Sequence, residues 1–262
     1  MIKVIASDLD GTLLGEDHKI ASQTSEAIQC ACDLGIRFII VTGRNFQGAI
    51  KGLEGAGFVC DYLVSSGAEV RNAEGVILRS IPIDNRLCKK ICAVLKKYPV
   101  PGVFSTDKDD YRMDIYKETE LAKVAGNFEN RGENLSVYKI FLRSEDREML
   151  RRIEEELEAI KGIAVSSSFS TNLEITDIRA QKGPVLKEYI ESLGYQMSEV
   201  MVFGDSRNDS SMFSMDFGAT IAMENAAPEI KERARYVTKS NTDWGVAYAI
   251  NELLRLYGQF GS

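Results

Sequence analysis

The chain has 262 residues, with 32 Lys and Arg against 39 Asp and Glu for a formal net charge of −7, and a single histidine. At ~100–200 residues per domain this length accommodates one large domain or two modest ones, and 44 % hydrophobic with 27 % charged residues is the composition of a folded globular chain. An acidic chain whose basic residues cluster only in short pairs such as Lys96-Lys97 and Arg151-Arg152 is a poor partner for a phosphate backbone, so no nucleic acid is expected. One histidine excludes a metal site with two histidine ligands and confines any Ser/His/Asp or Cys/His machinery to His18. The five cysteines, Cys30, Cys32, Cys60, Cys88 and Cys92, contain no C-x-x-C pair and read as reduced, buried thiols of a cytoplasmic protein. Asp8 and Asp10 come too early for the apolar core of a signal peptide, and no apolar run approaches the ~18 residues of a membrane span.

In chain order, Lys3–Ser7 and Ile36–Val41 are short β-branched runs, and Ser22–Leu34 between them has a helical start and a stop at Gly35. Strand, helix and strand at this spacing form a βαβ unit, so the two strands are expected to be parallel. Tyr62–Ser65 is a third strand. From Ile83 the rhythm changes: a helix through Tyr98, extended pieces at Gly102–Thr106 and Tyr111–Tyr116, and a helix near Glu118–Phe128. Then come a strand at Val137–Leu142, a charged helix at Glu145–Ile160, and extended pieces at Ile163–Phe169 and Leu173–Thr176. Strands outnumber crossovers there, which predicts an antiparallel sheet with helices on one face. After Lys182-Gly183-Pro184 the α/β pattern returns with a helix to Leu193, a strand at Glu199–Phe203, a helix from Asn208, a strand at Ala219–Ala222 and a last helix at Gly245–Tyr257. The fold class is therefore α/β: a Rossmann-like parallel core made of 1–82 and 183–262, interrupted by an α+β insertion at 83–182.

Chemistry-bearing residues fall where elements end. Asp8-Leu9-Asp10-Gly11-Thr12-Leu13 follows the first strand, putting two carboxylates two residues apart at the edge where open α/β sheets bind ligands. Thr42-Gly43-Arg44 ends the second strand and offers a hydroxyl, a backbone turn and a guanidinium to an oxyanion. Lys182 precedes Gly183-Pro184 at the start of a helix, where the dipole repels a cation unless an anion lies nearby. Gly204-Asp205-Ser206-Arg207-Asn208-Asp209 follows a later strand and supplies oxygen ligands for a hard cation. Taken singly, each is also an ordinary turn, cap or solvated lysine. Together they assemble a carboxylate nucleophile, an acid/base partner, cation ligands and phosphate donors, the components of phosphoryl transfer through an aspartyl phosphate.

These four motifs, in this order, resemble those of the haloacid dehalogenase superfamily of phosphatases, and within it the Cof-type subfamily with a large α/β cap inserted after the third core strand. Met223–Ala226 and Tyr236–Asn241 (Y-V-T-K-S-N) resemble that subfamily too, so the likeness spans the core. The chain departs from relatives in reading Ser66-Gly67-Ala68 for N-G-A, Met223-Glu224-Asn225-Ala226 for M-G-N-A, and Thr176-Asp177-Ile178-Arg179-Ala180-Gln181 before the lysine where they commonly carry Pro and Gly. None of these removes a catalytic group.

The resemblance implies Asp8 as nucleophile and Asp10 as general acid/base. It implies Mg2+ held by Asp8, Asp10 through its backbone carbonyl, Asp205 and Asp209, and phosphate or substrate bound by Thr42, Gly43, Arg44, Lys182 and Asn208. The expected substrate is a small phosphorylated metabolite, with sugar phosphates favoured, and the insertion would close over the site and select the leaving group. Two other readings stay open: a sugar phosphomutase, which needs a second phosphate-binding set in the insertion where Arg112 and Arg179 form no motif, and a non-catalytic phosphate sensor. His18 reads as a solvated loop residue, and Trp244 as packing. The leaving group and the oligomeric state are not written in these residues.

Overall fold

The protein is described from a computed structural model covering residues 1–106, 110–113 and 136–260. It divides into two compact units, Met1–Arg79 with Lys182–Ser262, and Ser80–Gln181. The sequence puts these boundaries at 82/83 and 182/183; the second falls before Lys182 because that side chain is enclosed by groups of the first unit.

The first unit is built on an eight-stranded sheet: β1 (Val4–Ser7), β2 (Arg37–Val41), β3 (Asp61–Val64), β4 (Glu69–Arg71), β5 (Ile77–Ser80), β11 (Val200–Gly204), β12 (Ala219–Ala222) and β13 (Tyr236–Val237), in the order β13-β12-β11-β1-β2-β3-β4-β5. From β13 to β3 each neighbouring pair is parallel, and β4 is antiparallel to β3. Val4, Ile5 and Ala6 of β1 are fully buried, as a central strand covered on both faces requires. The helices are α1 (Ser22–Asp33), α2 (Phe46–Gly52), α5 (Lys182–Ser192), α6 (Ser210–Phe213), α7 (Pro228–Arg233) and α8 (Gly245–Phe260). Sequence patterning does not single out α2, because glycines at 48 and 52 weaken both propensity and periodicity. Nor does it single out β4 and the edge strands β5 and β13: β4 and β13 span only Glu69–Arg71 and Tyr236–Val237, and β5 is mostly exposed and has no buried face to set a pattern.

The second unit holds α3 (Asn85–Leu95), β6 (Gly102–Thr106), β7 (Asp110–Met113), β8 (Val137–Arg143), α4 (Arg147–Glu158), β9 (Ile163–Ser166) and β10 (Asn172–Asp177). The strands form an antiparallel sheet in the order β7-β6-β8-β10-β9. α3 buries Cys88, Ile91, Cys92 and Leu95, and α4 buries Leu150, Ile153 and Leu157, the i, i+3, i+4, i+7 stripe of a helix laid on a core. That core also takes Phe104, Val137, Ile140, Leu142, Leu173 and Ile175 from the strands. Both helices begin at aspartate caps: Asp84 accepts the amide of Arg86, and Asp146 accepts that of Met149. They start later and stop earlier than the periodicity alone indicates, since the caps and the turns after Leu95 and Glu158 set the limits. The helix expected at Glu118–Phe128 lies outside the described residues, as do the side chain of Arg112 and the end of the Tyr111–Tyr116 strand.

All five cysteines are free thiols; Cys60, Cys88 and Cys92 are buried as expected, but Cys30 is exposed on α1. Trp244, expected in packing, is 47 % exposed and sits in a left-handed turn with φ 55°. No helix among the described residues is long and apolar enough to cross a membrane.

Beyond β3 the chain passes through three successive left-handed residues, Ser65, Ser66 and Gly67, with φ of 52°, 60° and 98°. The amides of Ser65 and Ser66 donate to the carbonyls of Arg44 (2.7 Å) and Thr42 (3.0 Å), so this turn props the end of β2. Each non-glycine residue held there costs about 1–2 kcal/mol, and Asn tolerates the conformation best. Ser66→Val is expected to lower stability by about 2 kcal/mol or more while Ser66→Asn retains it. Urea denaturation checks this, and equal losses in both variants would show that backbone conformation is not what the position selects.

Candidate active site

Parallel β1, β2 and β11 end on one edge of the sheet, and the residues just beyond them are Asp8, Thr42 and Asp205. The register pairs Ser7 with Phe203, and the Asp8 amide donates to the Phe203 carbonyl, which brings the first and fourth motifs side by side. Gly11 makes this approach possible: it has φ +77°, and a Cβ there would lie 2.4 Å from Asp205 Oδ2. The Thr12 hydroxyl donates to Asp205 Oδ1 at 2.9 Å and fixes that carboxylate from the first motif's own loop.

Lys182, the first residue of α5, is 1 % exposed. Its ammonium donates to Asp8 Oδ1 and Asp209 Oδ1, both at 2.6 Å, and to Asn208 Oδ1 at 3.1 Å. The anion that a lysine at a helix start calls for is thus supplied by the protein's own carboxylates. α5 can seat it because Gly183 packs directly on the backbone of Ser211, where a Cβ would fall 2.2 Å from the carbonyl oxygen. Asp209 spends its other oxygen on the amides of Asp205 (3.0 Å) and Ser206 (3.1 Å), closing the acidic loop on itself.

Asp8, Asp205 and Asp209 each offer an oxygen within 4.8 Å of the others, with one ammonium among them. Burial, reinforced by the neighbouring carboxylates, pushes the Asp8 carboxyl well above its ordinary range even with Lys182 beside it. Burial and the charge of Asp209 raise Asp205 to about 7. Burial opposes the charge on Lys182, but Asp209 and Asp8 outweigh it and hold the ammonium protonated above its usual range. A buried all-oxygen donor set carrying more negative than positive charge fits a hard divalent cation. Asp209, with both oxygens already engaged by protein donors, is placed to support such a shell, and Asp10 directs its carboxylate elsewhere.

Asp10 faces Arg44, whose Nε donates to Oδ2 at 2.7 Å and Nη2 to Oδ1 at 2.5 Å. The Thr42 hydroxyl accepts the Arg44 amide at 3.1 Å and is almost wholly buried, with Gly43 between the two. His18 Nδ1 comes within 3.6 Å of Asp10 Oδ1 from an exposed turn with φ 58°. Sequence reasoning gave no role to Asn225 and Asn241. Asn225 Nδ2 donates to the carbonyl of Gly11 at 2.7 Å, Asn241 Nδ2 to that of Leu14 at 2.8 Å, and the Asn241 amide to Asn225 Oδ1 at 3.0 Å. Both belong to the stretches that resemble the Cof-type subfamily; the available signal was an asparagine in each, with no partner to read beside it.

A family model described as haloacid dehalogenase-like hydrolase matches residues 5–250. The chain is 30 % identical over 291 residues to the 5-amino-6-(5-phospho-D-ribitylamino)uracil phosphatase YwtE of Bacillus subtilis (strain 168), covering 97 % of this chain and 98 % of that one. A second phosphatase of that description from the same organism, YcsE, is 28 % identical over 249 residues, covering 95 % and 94 %. The solved structure of a haloacid dehalogenase-like hydrolase from B. subtilis superposes with a TM-score of 0.87 at 26 % identity, over 96 % of this chain and 100 % of that one. The chain belongs to the haloacid dehalogenase-like hydrolases, as a phosphatase of the Cof type.

Replacing Lys182 with the similarly shaped Met strands buried carboxylates without their counter-charge, at an expected cost of about 3–5 kcal/mol near pH 8. Carboxyls raised in the folded state bind more protons folded than unfolded, so the deficit shrinks as pH falls through about 7 toward the ordinary carboxylate range. Urea melts of Lys182→Met at pH 8 and pH 5.5, without divalent cations, test both sign and size.

Proposed function

We propose that the protein is a Mg2+-dependent phosphomonoesterase acting on a small phosphorylated metabolite through an aspartyl phosphate. The observation that carries this reading is the convergence of Asp8, Asp205, Asp209 and the buried Lys182 ammonium at one sheet edge. An Asp8 oxygen attacks phosphorus while the bond to the leaving oxygen breaks, and Asp10 donates the proton that the leaving alkoxide takes. In the second half, water attacks the aspartyl phosphate, Asp10 takes its proton, and Asp8 is regenerated as inorganic phosphate departs. Lys182, Asn208, Thr42 and the Gly43 turn are assigned to the phosphate oxygens. Lys182 also puts positive charge beside the nucleophile, without which a phosphate dianion and a carboxylate repel one another. Asp8, Asp205 and the Asp10 carbonyl are the groups assigned to Mg2+, with Asp209 in support; bound there, the ion neutralises charge on the transferring phosphoryl group.

The two B. subtilis relatives are named for a 5-phospho-D-ribitylamino compound, a phosphomonoester on a sugar-derived chain. We assign this protein the same broad chemistry, a phosphate ester of a sugar or sugar-derived polyol. Leaving-group selection is assigned to the inserted unit, Ser80–Gln181, because all four motifs fall in the first unit.

Phosphate release should require Mg2+ and fall at least about a thousandfold in Asp8→Asn, which removes the nucleophile; full Mg2+-dependent activity in that variant would show the nucleophile to be another group. A panel of hexose, pentose and ribityl phosphates should give one class a preference above about a hundredfold in kcat/KM, roughly 2.7 kcal/mol. Since Asp205 must lose its proton to hold a cation, Mg2+ affinity should rise from pH 6 to pH 8 with net proton release below about pH 7. Calorimetry in buffers of different ionisation enthalpy reads both.

A further inference from the structure

The Arg44 side chain is held more completely than a phosphate ligand needs. Its backbone is fixed on both sides, the amide donating to Thr42 Oγ1 at 3.1 Å and the carbonyl accepting the Ser65 amide at 2.7 Å. All three guanidinium nitrogens have partners: Nε and Nη2 close a fork on the two oxygens of Asp10, and Nη1 donates to the Gly48 carbonyl on α2 at 3.2 Å. The same helix leaves space for the head group. Gly48 and Gly52 lie four residues apart on one face of α2, and a Cβ at Gly52 would fall 2.8 Å from Nη1. Two glycines weaken a seven-residue helix by ~1 kcal/mol each; the room left at Gly52 is the room the guanidinium fills, while a Cβ at Gly48 would lie 3.4 Å from the Arg44 Cβ, against the base of the same side chain.

We propose that Arg44 is a positioning residue for Asp10, and that α2 aims it through the Gly48 carbonyl and the space left at Gly52. This rests on the reading of Asp10 as the general acid/base. A carboxylate on two free torsions presents its lone pairs over a wide range of directions. The fork takes one lone pair from each oxygen and fixes the carboxylate plane, leaving the others on a defined heading. Proton transfer to and from the reacting oxygen depends on that heading, and misplacement by ~1 Å costs on the order of a hundredfold in rate. The role differs from phosphate binding in what it predicts: an arginine acting through Asp10 changes turnover, and only while Asp10 is present.

The test is steady-state kinetics on phenyl phosphate with saturating Mg2+, together with inhibition by inorganic phosphate. Arg44→Ala should lower kcat by about a hundredfold, with KM and phosphate inhibition within about twofold of wild type. In an Asp10→Ala background the same substitution should change kcat by less than about threefold, since the group it positions is gone. Arg44→Lys, which keeps the charge but cannot form the fork, should behave like Arg44→Ala, and added methylguanidinium should restore part of the Arg44→Ala turnover. Gly52→Val keeps Arg44 and displaces its head group, and should lower kcat with the same unchanged KM, its folding verified by circular dichroism. The proposal is overturned if Arg44→Ala raises KM and weakens phosphate inhibition tenfold while kcat holds. A full additional loss of kcat in the Asp10→Ala background also overturns it. Wild-type turnover in Asp10→Ala alone is a separate outcome, which removes the acid/base reading of Asp10 and the proposal with it.

Discussion

The buried ammonium of Lys182 is the constraint on which the rest of the site depends. An ion enclosed at 1 % exposure must be met by opposite charge and by acceptors for its protons. Asp8, Asp209 and Asn208 meet it from loops 174, 27 and 26 residues away in sequence. Satisfying one side chain therefore fixes three chain segments against each other: the end of β1, the start of α5 and the loop after β11. The close packing of Gly183 on Ser211 follows from the same demand, since α5 has to come that near for its first side chain to reach the acids.

The cluster is buried and carries more negative than positive charge, so the carboxyls of Asp8 and Asp205 are pushed above the ordinary carboxylate range. Such an arrangement is a poor way to stabilise a fold, because an apolar core of equal volume would do as well. Under the proposed function its value would lie in binding: a hard cation held there would relieve the charge imbalance, with the lysine beside the assigned nucleophile, Asp8. In a chain with net charge −7, the same reading assigns the attraction of an anionic substrate to this local arrangement and not to the surface as a whole.

Around the cluster lies a second set of contacts that aim and brace it. Thr12 holds Asp205, Arg44 holds Asp10, and Asn225 and Asn241 hold the carbonyls of Gly11 and Leu14. The four motifs were legible as chemistry because carboxylate, hydroxyl and lysine types recur at element ends, where the type alone limits what they can do. The bracing residues were not legible in that way. An asparagine is read by what it touches, and Asn241 touches Leu14 from 227 residues away. Arg44 was visible as a cation at a strand end, suited to an oxyanion or to an ordinary turn; the space at Gly52 and the fork on Asp10 appear only once α2 is folded beside it.

The sequence by itself determined the elements with strong local signals. These include the fully buried β1, the parallel βαβ unit through α1 and β2, the switch to antiparallel strands after Ile83, and the apolar stripes of α3 and α4. Each is dictated by the period of apolar residues or by turn chemistry, both of which are local. Tertiary structure decided the glycine-weakened α2, the left-handed Ser65-Ser66-Gly67 turn, the exposure of Trp244, and the placing of Lys182 with the first unit. The physical reason is plainest for the turn and the lysine. Neither is favourable within its own segment; the carbonyls of Thr42 and Arg44 and the counter-charges of Asp8 and Asp209 come from elsewhere in the chain.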